Sequence, residues 1–161
     1  MKKNYFLTIV PIFTFLAAFP FQCSVSDAGV FKSQDKGETL EHKITLDNKR
    51  SIGAIEILTI VIDPLDSKIV YLGTRANGLY KSKNAGDTWF KIEDKNNVLS
   101  SRANVYDIAI DAEDPNRIYI GTYQDKKGRI FRSQDAGESW EEVYIVSEEK
   151  FSVFAVAVDN Y

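Results

Sequence analysis

Six residues of this chain carry side chains suited to gripping a small polar ligand: Arg75, Asn77, Arg102, Asn104, Tyr106 and Tyr123. A guanidinium forks two N–H groups onto a carboxylate, an amide meets a carbonyl, and a phenol ring covers a sugar face. Groups for catalysis are scarcer. Glycoside hydrolysis generally needs two carboxylates, about 5–5.5 Å or about 6.5–9.5 Å apart. Asp107 is a candidate, either a specialised residue or a tolerant position. The sole histidine, His42, sits in the polar run Glu41-His42-Lys43 with no His/Cys/Asp cluster around it. A metal site or nucleophile triad therefore has nothing to be built from. No catalytic residue, metal or cofactor is expected.

The elements that must position these residues are set by a repeat. Ser33-Gln34-Asp35-Lys36-Gly37-Glu38-Thr39-Leu40 returns as Ser82-Lys83-Asn84-Ala85-Gly86-Asp87-Thr88-Trp89, then as Ser133-Gln134-Asp135-Ala136-Gly137-Glu138-Ser139-Trp140. The leading serines are 49 and 51 residues apart. Ile60-Val61-Ile62-Asp63 returns as Ile108-Ala109-Ile110-Asp111 and Val156-Ala157-Val158-Asp159, at intervals of 48 residues. Val70-Tyr71-Leu72-Gly73-Thr74 matches Ile118-Tyr119-Ile120-Gly121-Thr122. A period near 50 means propeller blades or solenoid units. The glycines fall at the repeat period as turn residues and form no phosphate loop. Asp107 is level with Thr59 and Ala155, whereas Asp63, Asp111 and Asp159 recur and read as turn residues.

Each unit reads as four short strands. In the middle unit, Leu58–Ile62 is apolar and β-branched, which suits a buried strand. Asp63-Pro64-Leu65-Asp66 is a turn, Ile69–Gly73 the second strand, and Arg75-Ala76-Asn77-Gly78 a turn whose Asn-Gly tolerates positive φ. Leu79–Ser82 and Trp89–Glu93 complete the unit. The serine-led segment reads as the hairpin between third and fourth strands. Its Asp or Asn accepts N–H groups of its own turn, its glycine supplies positive φ, and its tryptophan seals apolar surface between units. No stretch sustains a helical period. The expected fold is all-β: a partial β-propeller of four-stranded antiparallel blades, about two full blades with parts of others.

These three segments resemble the Asp-box, or BNR repeat, of β-propellers, which occurs in sialidases, xyloglucan-active glycoside hydrolases, sortilin-type receptors and photosystem II assembly factor-like proteins. The resemblance covers roughly residues 29–161. The first copy departs from it, with Leu40 in place of tryptophan. In these families the box is a fold element on the face away from the ligand. The resemblance thus implies structural roles for Ser33, Asp35, Gly37, Ser82, Asn84, Gly86, Trp89, Ser133, Asp135, Gly137 and Trp140. An Asp-x-Gly loop without further acidic ligands is not a calcium loop. Ligands of propellers usually meet the loops entering first strands (48–53, 100–106, 148–151) and those joining second to third strands (74–77, 123–127). Sialidases use three arginines, and Arg50, Arg75 and Arg102 lie in such loops, but the Arg-Ile-Pro segment of those enzymes is missing. Xyloglucan-type hydrolases place an aspartate at the mouth of a first strand, near which Asp107 falls.

Residues 1–22 read as a secretion signal: Lys2 and Lys3, then an uncharged stretch from Tyr5 to Phe21, short for a membrane span. Cys23, the single cysteine, excludes an intrachain disulfide. Its place resembles the lipidated cysteine of bacterial lipoproteins, although Gln22 departs from the small residue that motif prefers. Cleavage near Ala28 is the alternative. Either way an exported bacterial product is expected, periplasmic, at the cell surface or lipid-anchored, touching membrane only through the signal or a lipid. The formal charge of −3 offers no basic patch for nucleic acid. The expected organisation is a half blade (29–46), two blades (55–94 and 103–146) and the first strand of another (151–161). A closed ring of such blades needs on the order of 200–400 residues, so a piece of a longer protein is expected. Its expected role is a non-catalytic scaffold binding a protein or glycan at the channel mouth, with a glycoside hydrolase as the alternative.

Overall fold

A computed structural model describes residues 29–46 and 50–159. The segment 1–22 expected to be a signal, Cys23, Asn48 and Lys49 lie outside the described residues. The strands are β1 (Phe31–Lys32), β2 (Glu41–His42), β3 (Ile57–Ile62), β4 (Val70–Thr74), β5 (Leu79–Ser82), β6 (Phe90–Lys91), β7 (Asn104–Ile110), β8 (Ile118–Gln124), β9 (Lys127–Ser133) and β10 (Glu141–Ile145). They form one two-stranded sheet, β1-β2, and two four-stranded sheets, β3-β4-β5-β6 and β7-β8-β9-β10. Every ladder is antiparallel between sequence neighbours. The fold is all-β, a partial β-propeller with two complete blades and the outer hairpin of a preceding one.

Blades stack because the second strand of each, β4 and β8, carries apolar side chains on both faces. All five residues of β4 are buried. Val70 and Leu72 point into one core with Val30, Ile52, Tyr80 and Trp89. Tyr71, between them, points into the other, with Leu79, Val105, Ile118, Ile120, Phe131 and Trp140. Alternation along one strand thus feeds two inter-blade cores. Close approach is needed as well. A Cβ on Gly73 would lie 2.6 Å from the Val105 carbonyl oxygen, so the glycine of the Leu-Gly-Thr marker is the site where the next blade's inner strand passes. Gly121 repeats the arrangement beneath Val153. The threonines that follow, Thr74 and Thr122, donate their hydroxyls to Gly78 and Arg129 carbonyls and so close the next loop.

Asp63 and Asp111, two of the recurring aspartates, are turn residues. Asp63 Oδ1 accepts from the Leu65 and Asp66 amides, and Asp111 Oδ1 from Glu113 and Asp114. Three expected strands come out differently. Trp89–Glu93 is a strand only at Phe90–Lys91, and in the half blade 29–46 the second strand covers only Glu41–His42. Beyond it the chain leaves β1 to back the next blade: the Trp89 amide donates to the Thr45 carbonyl, and Leu46 makes a parallel bridge with Trp89. The stretch Val153–Asp159 forms no ladder. A first strand pairs with the second strand of its own blade, and the described residues hold none after it. Instead it lies along β7 and β8, held by Val153 N–H to the Thr122 carbonyl and Val156 N–H to Asp107 Oδ2.

Candidate functional site

The two ends of the blades differ in construction. At one end the serine-led hairpins are tied to the turns between first and second strands: Ala85 N–H donates to the Lys68 carbonyl and Ala136 N–H to the Asn116 carbonyl. At the other end lie the loops joining second to third strands and those entering first strands. There Gly78 N–H donates to Ala103, and Lys150 N–H to Lys126. The six candidate ligand residues all belong to this second end.

The three hairpins are near-copies. In each, the serine hydroxyl donates to the Asp or Asn Oδ1 (2.7, 2.9 and 2.8 Å), and accepts from the glycine amide (2.6, 2.8 and 2.9 Å). Oδ1 also accepts the amide of Thr39, Thr88 or Ser139. The glycines have φ of 96°, 90° and 92°, and the residues before them, Lys36, Ala85 and Ala136, are left-handed too, at 61°, 56° and 57°. That second left-handed residue has a use. It turns the Ala136 carbonyl toward the preceding blade, where it accepts the Tyr71 hydroxyl and the Lys81 ammonium, each at 3.0 Å. Burial opposes ionisation of Asp135, but its bonds to Ser139 and Ser133 outweigh it and bring the carboxyl down to about 2. The bonds of Asp35 to Thr39 and Ser33 do the same, to about 2. Trp89 and Trp140 are buried, whereas Leu40 is 66% exposed.

At the opposite end, Arg75 and Tyr106 come together. The Arg75 guanidinium sits 2.7 Å from Glu56; that carboxylate, followed by the Tyr106 hydroxyl, holds it more firmly protonated. The Tyr106 ring meets Phe154 at 4.8 Å and a tilt of 53°, and Phe154 is 67% exposed. A cation and two rings therefore form a row along the inner edge of the second blade. Asn104 is opposite Tyr123 in the ladder and accepts the Ala76 amide on Oδ1 at 2.7 Å, which locks the first blade's loop to the second blade. Asn77 donates to the Arg75 carbonyl. Positive φ in this loop falls on Ala76 and Gly78, not Asn77. Asn77 also borders, with Arg50 and Tyr80, a cleft of about 350 Å³. Arg102 stands exposed in the next loop, apart from the row. Asp107 Oδ2 accepts the Val156 amide at 2.9 Å, which ties this carboxylate to the segment after the second blade. His42 stacks on Phe31 at 4.6 Å. Among the described residues no group of three His, Cys, Asp or Glu could hold a metal ion.

Three residues at this end carried no sequence signal. Asp94 accepts four backbone amides, from Asn96, Val98, Leu99 and Trp140. Gln124 clasps the same loop through Ser100 N–H and the Val98 carbonyl. Glu56 orients Arg75. The partners of Gln124 and Glu56, and Trp140 on Asp94, are remote in sequence; the Asn-rich run after Asp94 hints at the local turn that supplies its other three amides.

Comparison with known proteins places this architecture. The profile of the Sortilin-Vps10 family (Sortilin, neurotensin receptor 3) matches residues 28–159. The chain belongs to the Sortilin-Vps10 family. Other relatives of this family member are enzymes by name. It is 33% identical over 142 residues to a xyloglucanase of Acetivibrio thermocellus, covering 71% of this chain and 16% of that protein. It is 25% identical over 122 residues to an oligoxyloglucan-reducing end-specific xyloglucanase of Emericella nidulans, covering 73% and 14%. The chain thus spans less than a fifth of the curated relatives it matches. Among solved structures, YCF48 bound to D1 peptide is similar over 58% of this chain and 27% of that one, at 20% identity and a TM-score of 0.43.

Proposed function

We propose that this chain is part of an exported, non-catalytic β-propeller whose mouth loops hold a protein or glycan ligand. The observation that carries the reading is the row of Arg75, Tyr106 and Phe154. It offers a cation with exposed ring surface, a combination that suits a sugar chain or a peptide. Asp107, the carboxylate best placed for catalysis, serves the neighbouring backbone. The names of the relatives favour the glycan arm, and a xyloglucan chain is the ligand to try first. The hairpins are read as Asp-boxes, residues 1–22 as a signal peptide, and Cys23 as a lipid attachment point. A Cys23→Ala change should then release the product from membranes.

The test is retardation of the protein in gels containing xyloglucan, alongside an assay for released reducing sugar. The scaffold reading expects retardation that Tyr106→Ala weakens about tenfold, with no sugar released. Sugar release that disappears in Asp107→Asn would favour the second reading, a glycoside hydrolase, which the names of the xyloglucanase relatives support. Unchanged migration with every glycan and no captured protein would remove the binding reading altogether.

A further inference from the structure

A groove of about 280 Å³ shares no residue with the channel-mouth loops. It runs between the outer strands β5 and β6 of the first blade and the Ala136–Glu138 hairpin of the second. Phe90, 38% exposed, and Ile92 form its apolar wall. Lys81, Lys83 and Lys95 bring cations to it, against Glu93 and Glu138. Lys95 is committed to Glu138 by an ion pair and by its own amide. The other two lysines have no ion pair among the described residues.

Lys81 is the unusual one. It lies across from Phe90 in the ladder, half-buried, with its ammonium 4.9 Å from the Tyr71 ring centroid and 3.0 Å from the Ala136 oxygen. An ammonium has three N–H donors, and that carbonyl takes one. Lys83, just past the end of β5, lines the same groove. Burial, then the nearby Lys83 charge, weakens the hold of Lys81 on its proton. Glu138, Asp63 and Asp135 offset this in part, but with Lys95 and Glu138 paired to each other, Lys81 and Lys83 outnumber Glu93, the one groove carboxylate left beside the apolar wall. A neutral glycan would not supply a counter-charge, and a free phosphate would leave Phe90 and Ile92 uncovered.

We propose that this groove binds an extended acidic peptide, whose carboxylate meets Lys81 and Lys83 while a neighbouring aromatic side chain lies on Phe90 and Ile92. The probe is a fluorescein-labelled Gly-Ser-Asp-Phe-Asp-Gly peptide titrated into the full chain and followed by polarisation, with Gly-Ser-Asn-Phe-Asn-Gly as its neutral twin. Saturable binding is expected, about tenfold weaker for the neutral peptide, because hydrogen bonds between charged groups are the stronger class. Lys83→Glu lies on an exposed side chain, leaves the fold intact and should cost about tenfold or more in affinity. Lys81→Gln should do the same, with near-UV circular dichroism as the check on folding. Lys36→Glu, on the exposed first hairpin and outside both sites, should leave peptide affinity unchanged. The proposal is overturned by absence of saturable binding, by equal affinity for the two peptides, or by insensitivity to Lys83→Glu. Loss on Lys36→Glu, or displacement by equimolar inorganic phosphate, would overturn it equally.

Discussion

The hairpin that ends at Leu40 and the hairpin that ends at Trp140 are built from the same bonds and meet different fates. Both close on a serine hydroxyl, an aspartate and a glycine at left-handed φ. One is followed by a buried indole, the other by a leucine 66% exposed. Trp140 lies in the core between the two complete blades; Leu40 belongs to no such core. The local bonds therefore fix the shape of the turn, and packing between blades supplies the stability. Net hydrogen-bond contributions of about 1 kcal/mol are outweighed by a buried tryptophan, whose removal costs about 3–5 kcal/mol.

That contrast can be broken by mutation. Trp140→Ala should destabilise the chain by about 3–5 kcal/mol in urea unfolding, whereas Leu40→Ala should stay within about 0.5 kcal/mol; equal losses would erase the distinction. Gly73→Ala should cost about 1–3 kcal/mol, since the new methyl overpacks the Val105 backbone; an unchanged midpoint would show that the inner strands can part freely. Asp135→Ala should cost about 1–2 kcal/mol through orphaned amides of the turn. The smallest effect is a pH dependence. Asp35 and Asp135 have folded-state values near 2 against 3.8 for the free side chain. Their contribution is thus complete above about pH 4 and is lost as pH falls toward 2. Asn84, in the middle hairpin, cannot titrate. Asp135→Asn should flatten the acid limb of a stability–pH curve, and an unaltered limb would assign acid sensitivity to other carboxylates.

Much of this was legible because it is periodic and local. The Asp turns, the serine-led hairpins and the strand Leu79–Ser82 depend on residues within a few positions of each other, and composition alone reports them. Long-range needs were silent. Ala85 and Ala136 give no sign of left-handed backbone by residue type: the hairpin imposes it at Lys36 as well, and only the use made of the Ala136 carbonyl lies on another blade. Gly73 looked like part of a marker, yet its missing side chain admits Val105 from the neighbouring blade. In the turn after β4, the Asn-Gly pair pointed to Asn77 as a left-handed residue, but the Asn104 side chain captures the Ala76 amide and moves that conformation one residue earlier. At the mouth, the residue types of Arg75 and Tyr106 were readable; their meeting, and the use of Asp107 as a backbone acceptor, depend on how blades stack.

Hydrogen exchange at three glycine amides tests the central claim most directly, because Gly37, Gly86 and Gly137 all donate to a serine hydroxyl in the same way. If blade packing governs stability, Gly86 and Gly137 should exchange only on global unfolding while Gly37 exchanges orders of magnitude sooner. Equal protection at all three would mean that the hairpins stand by themselves and that the stacking of blades adds nothing to them.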